Sequence, residues 1–350
     1  MTKKIFLFAM AAIAMASCSN DETLDINQGK GIGFRISADK ATRGIETKTD
    51  NLKEIYVTAV DANDANLFKD LLFSEGEGGI FSSNPLYYWP GDGSNLTFHA
   101  YAPAAEKIGA TVTTGATNNK VENFSPAEEI NDQIDLVYVT ATGNKTNEAE
   151  GVTLKFDHML SQISIKAKNT NEGYIYKVAG VKIGQPVSKG SLDFTTKDWT
   201  WTQEKAIYAE TYKESAKTLN ANAQSLMKTE GNHAMLIPQQ LTKWNIAEDP
   251  TNAKKGAYLS VLVNITTKDG AQVYPSEGNE EDYAWAAVAI DTEWKPGSHY
   301  VYTLDFSEGA GNVDPDEKDP EEPGEEILGG PIKLKVEVNL WSPSEQPLDM

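Results

Sequence analysis

From Ile332 to Leu340 the chain alternates without a break. Ile332, Leu334, Val336, Val338 and Leu340 stand on one side of an extended backbone, and Lys333, Lys335, Glu337 and Asn339 stand on the other. A period of two marks a strand with one buried and one wetted face. The same pattern recurs in LKEIYVTAV (Leu52 to Val60), NLTFHAYAP (Asn95 to Pro103), DLVYVTA (Asp135 to Ala141), VTLKFDHMLSQISIKAK (Val152 to Lys168), AYLSVLVNITT (Ala257 to Thr267) and HYVYTLDF (His299 to Phe306). Loops such as TTGATNNK and PGDGSN separate these runs with turn-forming residues. Only residues 203–227, QEKAIYAETYKESAKTLNANAQSLM, have helical propensity, and strand patterns flank them. The chain is therefore predicted to be all-β. At 350 residues and 40% apolar content it can bury one large core or two medium ones. The prediction is two tandem β-sandwich domains, residues 44–150 and 151–350.

The stretches outside the regular pattern divide into three. In GIGFRISA, Ile32, Phe34 and Ile36 alternate like a short strand, and ATRG then places Arg43 in a polar loop that contains glycine. Such loops are where proteolysis concentrates, although on composition alone Arg43 is an ordinary surface arginine. Arg35 would lie inside the strand. Residues 308–331, EGAGNVDPDEKDPEEPGEEILGGP, are dense in Pro, Gly and acids and are predicted to form a solvated, extended linker before a terminal strand at 332–341. A calcium site built from these carboxylates is the sharper alternative, but the ligand spacing and central glycine of an EF-hand are missing. DANDAN (Asp61 to Asn66) fails the same test and reads as a hairpin turn.

The third stretch is the amino terminus. Lys3 and Lys4, an apolar run from Ile5 to Ala16, and the small residues Ala16 and Ser17 make the three-part layout of a secretory signal over residues 1–17. The run is too short to span a bilayer as a helix. It leads into Cys18, the one cysteine of the chain. MASC is similar to a bacterial lipobox, with Met15 and Ser17 slightly off pattern, so the sulfur of Cys18 is expected to carry lipid. The plain alternative is a chance residue near a cleavage site. Lipidation would leave no free thiol and no disulfide, so stability would rest on core and sheet. Several acyl chains, each buried CH₂ worth roughly 0.8 kcal/mol, would hold the protein on a membrane. Asp21, Glu22 and Asp25 follow directly and resemble the surface-export signals of Bacteroidetes lipoproteins.

Charge then removes several functions. A formal net charge of −20 repels phosphate, which argues against nucleic acid and against a basic patch for anionic lipid. The sequence contains no HExxH, P-loop, Rossmann glycine fingerprint or nucleophile elbow. Its four histidines, His99, His158, His233 and His299, are scattered, and none pair at metal-ligand spacing. No cofactor, metal or catalytic residue is expected, and His158 reads as a satisfied core or interface histidine. Trp199 and Trp201, with Tyr87, Tyr88 and Trp89, are either strand-core aromatics or a glycan platform.

Four stretches carry a resemblance to a known family. YYWPGDGSNLTFHAYAP (Tyr87 to Pro103), QIDLVYVTATG (Gln133 to Gly143), VTLKFDHMLSQISIKAK and WKPGSHYVYTLDF (Trp294 to Phe306) resemble, in this order, the fimbrillin-like lipoproteins of Bacteroidales, the subunits of type V pili. The resemblance runs from about Ile32 to Trp341 and implies two tandem β-sandwich domains of transthyretin-like, Greek-key type. It also implies a precursor held in the outer membrane by lipid on Cys18 and displayed at the cell surface. An arginine-specific surface protease would remove the propeptide 18–43 by cutting after Arg43, taking Ile32, Phe34 and Ile36 with it. Other pilus subunits would then join head to tail by filling the vacated groove with a strand. Residues 332–341, with Ile332, Leu334, Val336, Val338 and Leu340 on the apolar face, are either that donor strand or the last strand of their own domain, the second being favoured. A surface-anchored glycan-binding lipoprotein is the alternative function, and a host or glycan ligand is left open.

Overall fold

The computed structural model of the chain describes residues 29–36 and 52–341, except 230, 280 and 319. Cys18 and Arg43 lie outside the described residues, as does the signal stretch. The architecture is all-β, as predicted. The residues expected to mimic a helix instead form strand Lys205–Thr211, a single 3-10 turn at Lys213–Ser215 and the short strands Lys217–Thr218 and Gln224–Ser225. Alternation of Tyr208 and Glu210, both buried, with more open neighbours sets that strand's faces.

The amino-terminal unit is one eight-stranded sheet. Its spatial order is Asp157–His158, Val137–Gly143, Leu96–Ala102, Glu54–Val60, Asn66–Glu75, Ile80–Ser82, Gly33–Ile36 and Val152–Leu154. The sheet folds over on itself. A Cβ on Gly143, at the end of one strand, would stand 2.6 Å from a methyl of Val152 at the sheet's far edge. Inside the fold lie Ile55, Val57, Phe73, Phe81, Phe98, Val137 and Leu154. These are the inward members of the alternating patterns, and burying them drives the curl.

The carboxy-terminal unit packs two sheets over one core. Ser161–Lys168 runs parallel to Ser298–Asp305, and the latter pairs antiparallel with Lys333–Leu340 at the sheet edge. Facing them, Tyr174–Val187, Tyr258–Thr267 and Ala284–Ala289 form the centre of a seven-stranded sheet. Ile163, Ile165, Tyr302 and Leu304 from one layer meet Val178, Val181, Leu259 and Val261 from the other.

Two expectations need correction. The boundary at 150/151 falls too early, because Val152–Leu154 and Asp157–His158 pair within the amino-terminal sheet. The run from Val152 to Lys168 is thus three strands divided between two sheets. Residues 308–331 are not a solvated linker either. Asn312–Val313 joins the edge of the seven-stranded sheet, Ala310, Val313 and Ile327 are buried, and Asp314, fully buried, meets Lys182 Nζ at 3.0 Å. Lys182 also lies over the Trp285 ring at 4.5 Å. The acidic composition concealed one carboxylate with a buried lysine partner, and a paired charge is tolerated inside where a lone one is not.

A small sheet joins the two units. A four-stranded sheet takes Thr111–Thr113 and Lys120–Phe124 from the amino-terminal part and Gly190–Asp193 and Trp199–Trp201 from the carboxy-terminal part. Its central pairing crosses the junction, Leu192 opposite Val121 and Gly190 opposite Phe124. Beneath it lies a third core containing Tyr138, Met159, Phe194, Trp199, Ile237 and Trp341. Tyr138 and Phe194 stack at 4.3 Å with only 4° between their planes. Shared pairing and a shared core tie the two units together.

Candidate functional site

The first strand, Gly33–Ile36, is an interior member of its sheet. Phe34 lies opposite Phe81 of Ile80–Ser82 on the antiparallel side and opposite Val152 of Val152–Leu154 on the parallel side. Just before it, Ile32 N–H donates to Tyr87 C=O at 2.7 Å. Ile32 and Phe34 have no exposed surface, and Ile36 is half-buried against the same core. The Phe34 ring makes edge-on contacts with Phe73 at 4.9 Å and Phe98 at 5.0 Å. This geometry places the positive edge of one ring near the negative face of the next. Arg35, pointing the other way, meets Glu150 at 3.4 Å, with both side chains largely in water. Such a pair is worth at most about 1 kcal/mol.

Glycines shape the walls of this seat. A Cβ on Gly33 would approach Ile80 Cγ2 to 3.0 Å, and one on Gly31 would approach Tyr87 O to 3.0 Å. On the parallel side Gly151, at φ +77°, allows the chain to turn in against Gly33 and Phe34. The alternation of Ile32, Phe34 and Ile36 is legible in sequence. The need for the intervening glycines becomes visible only once the neighbouring strands are in place.

The terminal strand is Lys333–Leu340, paired with Ser298–Asp305 along its whole length from Asp305↔Lys333 to Ser298↔Leu340. Its alternation holds, but burial fades along it. Ile332 is buried, Leu334 and Val336 are half-buried, and Val338 and Leu340 are 56% and 80% exposed. At the far end Trp341 returns to the interior. Its backbone N–H donates to Gly297 C=O at 2.8 Å, and its ring stacks on His158 at 4.2 Å and 7°. His158 Nδ1 in turn lies 2.8 Å from Asp135 Oδ2. Of the two expected settings, core or interface, His158 takes the second, and its ring supports the end of the terminal strand.

A second polar cluster was not foreseen. Ser164 Oγ lies 2.5 Å from His233 Nδ1 and 2.6 Å from His299 Nε2. A hydroxyl has one hydrogen, so Ser164 donates to one ring and accepts an N–H from the other. Burial, with a smaller contribution from the neighbouring His233 and Lys166, pushes the His299 pKa down to about 4. An unfolded histidine titrates near 6.5, so between these values the unfolded chain binds the extra proton and stability rises with pH. The contribution of His299 is therefore present above about pH 6.5 and lost as pH falls towards 4. Urea unfolding at pH 7 and pH 4.5 is expected to show a smaller loss of stability in His299→Gln than in the natural chain. An equal loss in both would rule out this histidine as a source of acid sensitivity.

Among the described residues no group of three or more His, Cys, Asp or Glu side chains is arranged to hold a metal ion. The aromatic clusters do not form one platform. Trp89 and Trp199 are buried in different cores, and Trp199 Nε1 donates to Met159 C=O. Tyr88 and Trp201 are the exposed members, and Tyr87 is half-buried.

The features together define an all-β protein whose amino-terminal core is completed by a short strand from the start of the chain. The fimbrillin-like family profile matches residues 40–319, and the chain belongs to that family. Both the first strand and the terminal strand lie outside the matched residues. Over 256 residues the chain is 29% identical to fimbrium subunit Fim1C of Phocaeicola vulgatus, spanning 63% of this chain and 68% of that protein. A crystal structure of a fimbrial protein from Bacteroides vulgatus superposes with a TM-score of 0.58 at 16% identity, over 89% of this chain and 99% of that one. The latter is a likeness of fold.

Proposed function

We propose that the chain is a structural subunit of a cell-surface pilus, made as a precursor with lipid on Cys18 and a place in the outer membrane. Cutting after Arg43 by an arginine-specific surface protease separates the first strand covalently from the rest of the fold. The observation that carries this reading is the interior seat of Phe34, between two strands and against two aromatic rings. Removing such a strand exposes unpaired N–H and C=O groups on both flanks together with an apolar trough. A strand from a neighbouring subunit satisfies both at once. The joint is head-to-tail and does not close on itself, so repetition gives a filament. The whole-length pairing of Lys333–Leu340 with Ser298–Asp305, and the burial of Ile332 and Trp341, favour a terminal strand that closes its own sheet.

The test is the intact mass and amino-terminal sequence of the protein recovered from the cell surface. The natural chain is expected to begin at Gly44 in filaments, and a precursor carrying lipid on Cys18 is expected in the membrane. Arg43→Ala is expected to accumulate as full-length lipidated precursor and stay out of filaments. Ordinary incorporation of that variant would overturn the cleavage site.

A further inference from the structure

We infer that the seat of the first strand selects its occupant by backbone clearance: it accepts minimal residues at the places of Gly31 and Gly33, a bulky apolar residue at that of Ile32 and an aromatic at that of Phe34. It therefore draws its strand from a polypeptide other than the terminal strand of a second copy. This rests on the strand-removal reading above and adds the chemistry of the partner.

The clearance follows from the walls. An added Cβ at Gly33 would stand 3.0 Å from Ile80 Cγ2 and 3.5 Å from Phe81 O, and at Gly31 3.0 Å from Tyr87 O and 3.2 Å from Leu86 Cβ. Carbon atoms in favourable contact sit at about 3.5–4.0 Å, so a side chain at either place requires its neighbour to give way. One wall at Gly31 is a backbone carbonyl that already accepts the Ile32 N–H. On the opposite flank Gly151 would bring a Cβ of its own within 3.2 Å of Gly33 O and the Phe34 carbonyl carbon, so the backbone on that side already lies close to the strand. Between these constrictions the pocket under Phe34 is lined by Phe73 and Phe98 and is filled by an aromatic ring.

The terminal strand does not meet these requirements. With Val336 in the place of Phe34, Lys333 and Lys335 fall on Gly31 and Gly33. Sliding by two residues brings Lys333 or Glu337 to the place of Gly33 instead, and sliding by four brings Asn339. Sliding by one residue puts the charged side chains into the apolar trough. Within the chain, the succession glycine, any residue, glycine, aromatic occurs once, at residues 31–34. The partner chemistry is thus a strand that alternates minimal and bulky residues, carried by a different subunit.

The experiment uses the full chain with a specific protease site inserted between residues 37 and 51, cut while folded. Synthetic peptides are then added in excess, and replacement of the cut segment is read by native mass spectrometry. A peptide of residues 29–38 is expected to enter. A peptide of residues 332–341 is expected to bind at least tenfold more weakly and to recover when it carries Lys333→Gly, Lys335→Gly and Val336→Phe. Ile80→Ala in the chain is expected to narrow the gap between the two natural peptides. Equal binding of the unmodified 332–341 peptide would overturn the inference. Failure of the 29–38 peptide itself would overturn the strand-removal reading, and the inference with it, without reference to the glycines. In the uncut chain Gly33→Lys is expected to lower the melting temperature and Ile80→Ala to restore part of the loss; an unchanged melting temperature for Gly33→Lys would also overturn the inference.

Discussion

Phe34→Ala is expected to destabilise the uncut chain by about 3–5 kcal/mol, the range for deleting a buried aromatic side chain. The ring has no exposed surface and touches both Phe73 and Phe98. Its removal leaves a void between strands that are fixed on both sides by pairing. The surrounding sheet can close only part of that void, because Gly33 and Gly151 already bring its backbones close together. Urea unfolding monitored by tryptophan fluorescence should resolve the change, since Trp89 packs edge-on to Phe98 at 5.8 Å in the same core. Arg35→Ala, one residue away on the wet face, is expected to change stability by no more than about 1 kcal/mol. A contrast this large between adjacent residues would be produced only by a strand seated in the core. If both variants unfolded like the natural chain, the first strand would be an ornament on the surface and its removal would expose nothing.

The reach of the sequence can be judged from particular residues. The period-two pattern announced the all-β fold and the faces of most strands because one buried side chain at every second residue is a local requirement. The same reasoning identified Ile32, Phe34 and Ile36 as a strand. It could not place that strand between Ile80–Ser82 and Val152–Leu154, since pairing between residues so far apart leaves no local trace. Residues 308–331 look like a linker for a related reason. Composition reports average solvation, whereas Asp314 is held inside by a lysine more than a hundred residues away in the chain, with an Nζ contact of 3.0 Å. The shared small sheet was also hidden, because Lys120–Phe124 and Gly190–Asp193 are ordinary short strands until they meet. His158 reads from its setting in a strand as a core or interface residue, but its stacking partner, Trp341, lies nearly two hundred residues further along the chain.

The terminal strand gives the second large effect. Deleting residues 332–350 is expected to destabilise the monomer, because it removes the pairing partner of Ser298–Asp305 together with buried Ile332 and Trp341. Trp341→Ala alone should cost about 3–5 kcal/mol. A change of that size lowers the melting temperature of a unit of 150–250 residues by roughly 6–20 °C, at about 2–4 °C per kcal/mol. Val338→Ser and Leu340→Ser provide the comparison, since their side chains are 56% and 80% exposed and should shift stability by less than about 0.5 kcal/mol. Thermal melting of the four variants separates two roles for the same ten residues. A strand kept in its own sheet makes the truncation and Trp341→Ala costly while leaving Val338 and Leu340 silent in both melting and assembly. A strand that leaves to serve a neighbour would have to expose the seat of Trp341 on His158, and its apolar side chains would all enter the neighbour's groove. In that case Val338→Ser and Leu340→Ser would spare the monomer and still block filaments. Loss of filaments with an unchanged monomer melt would therefore reassign Lys333–Leu340 from closing its own sheet to joining subunits.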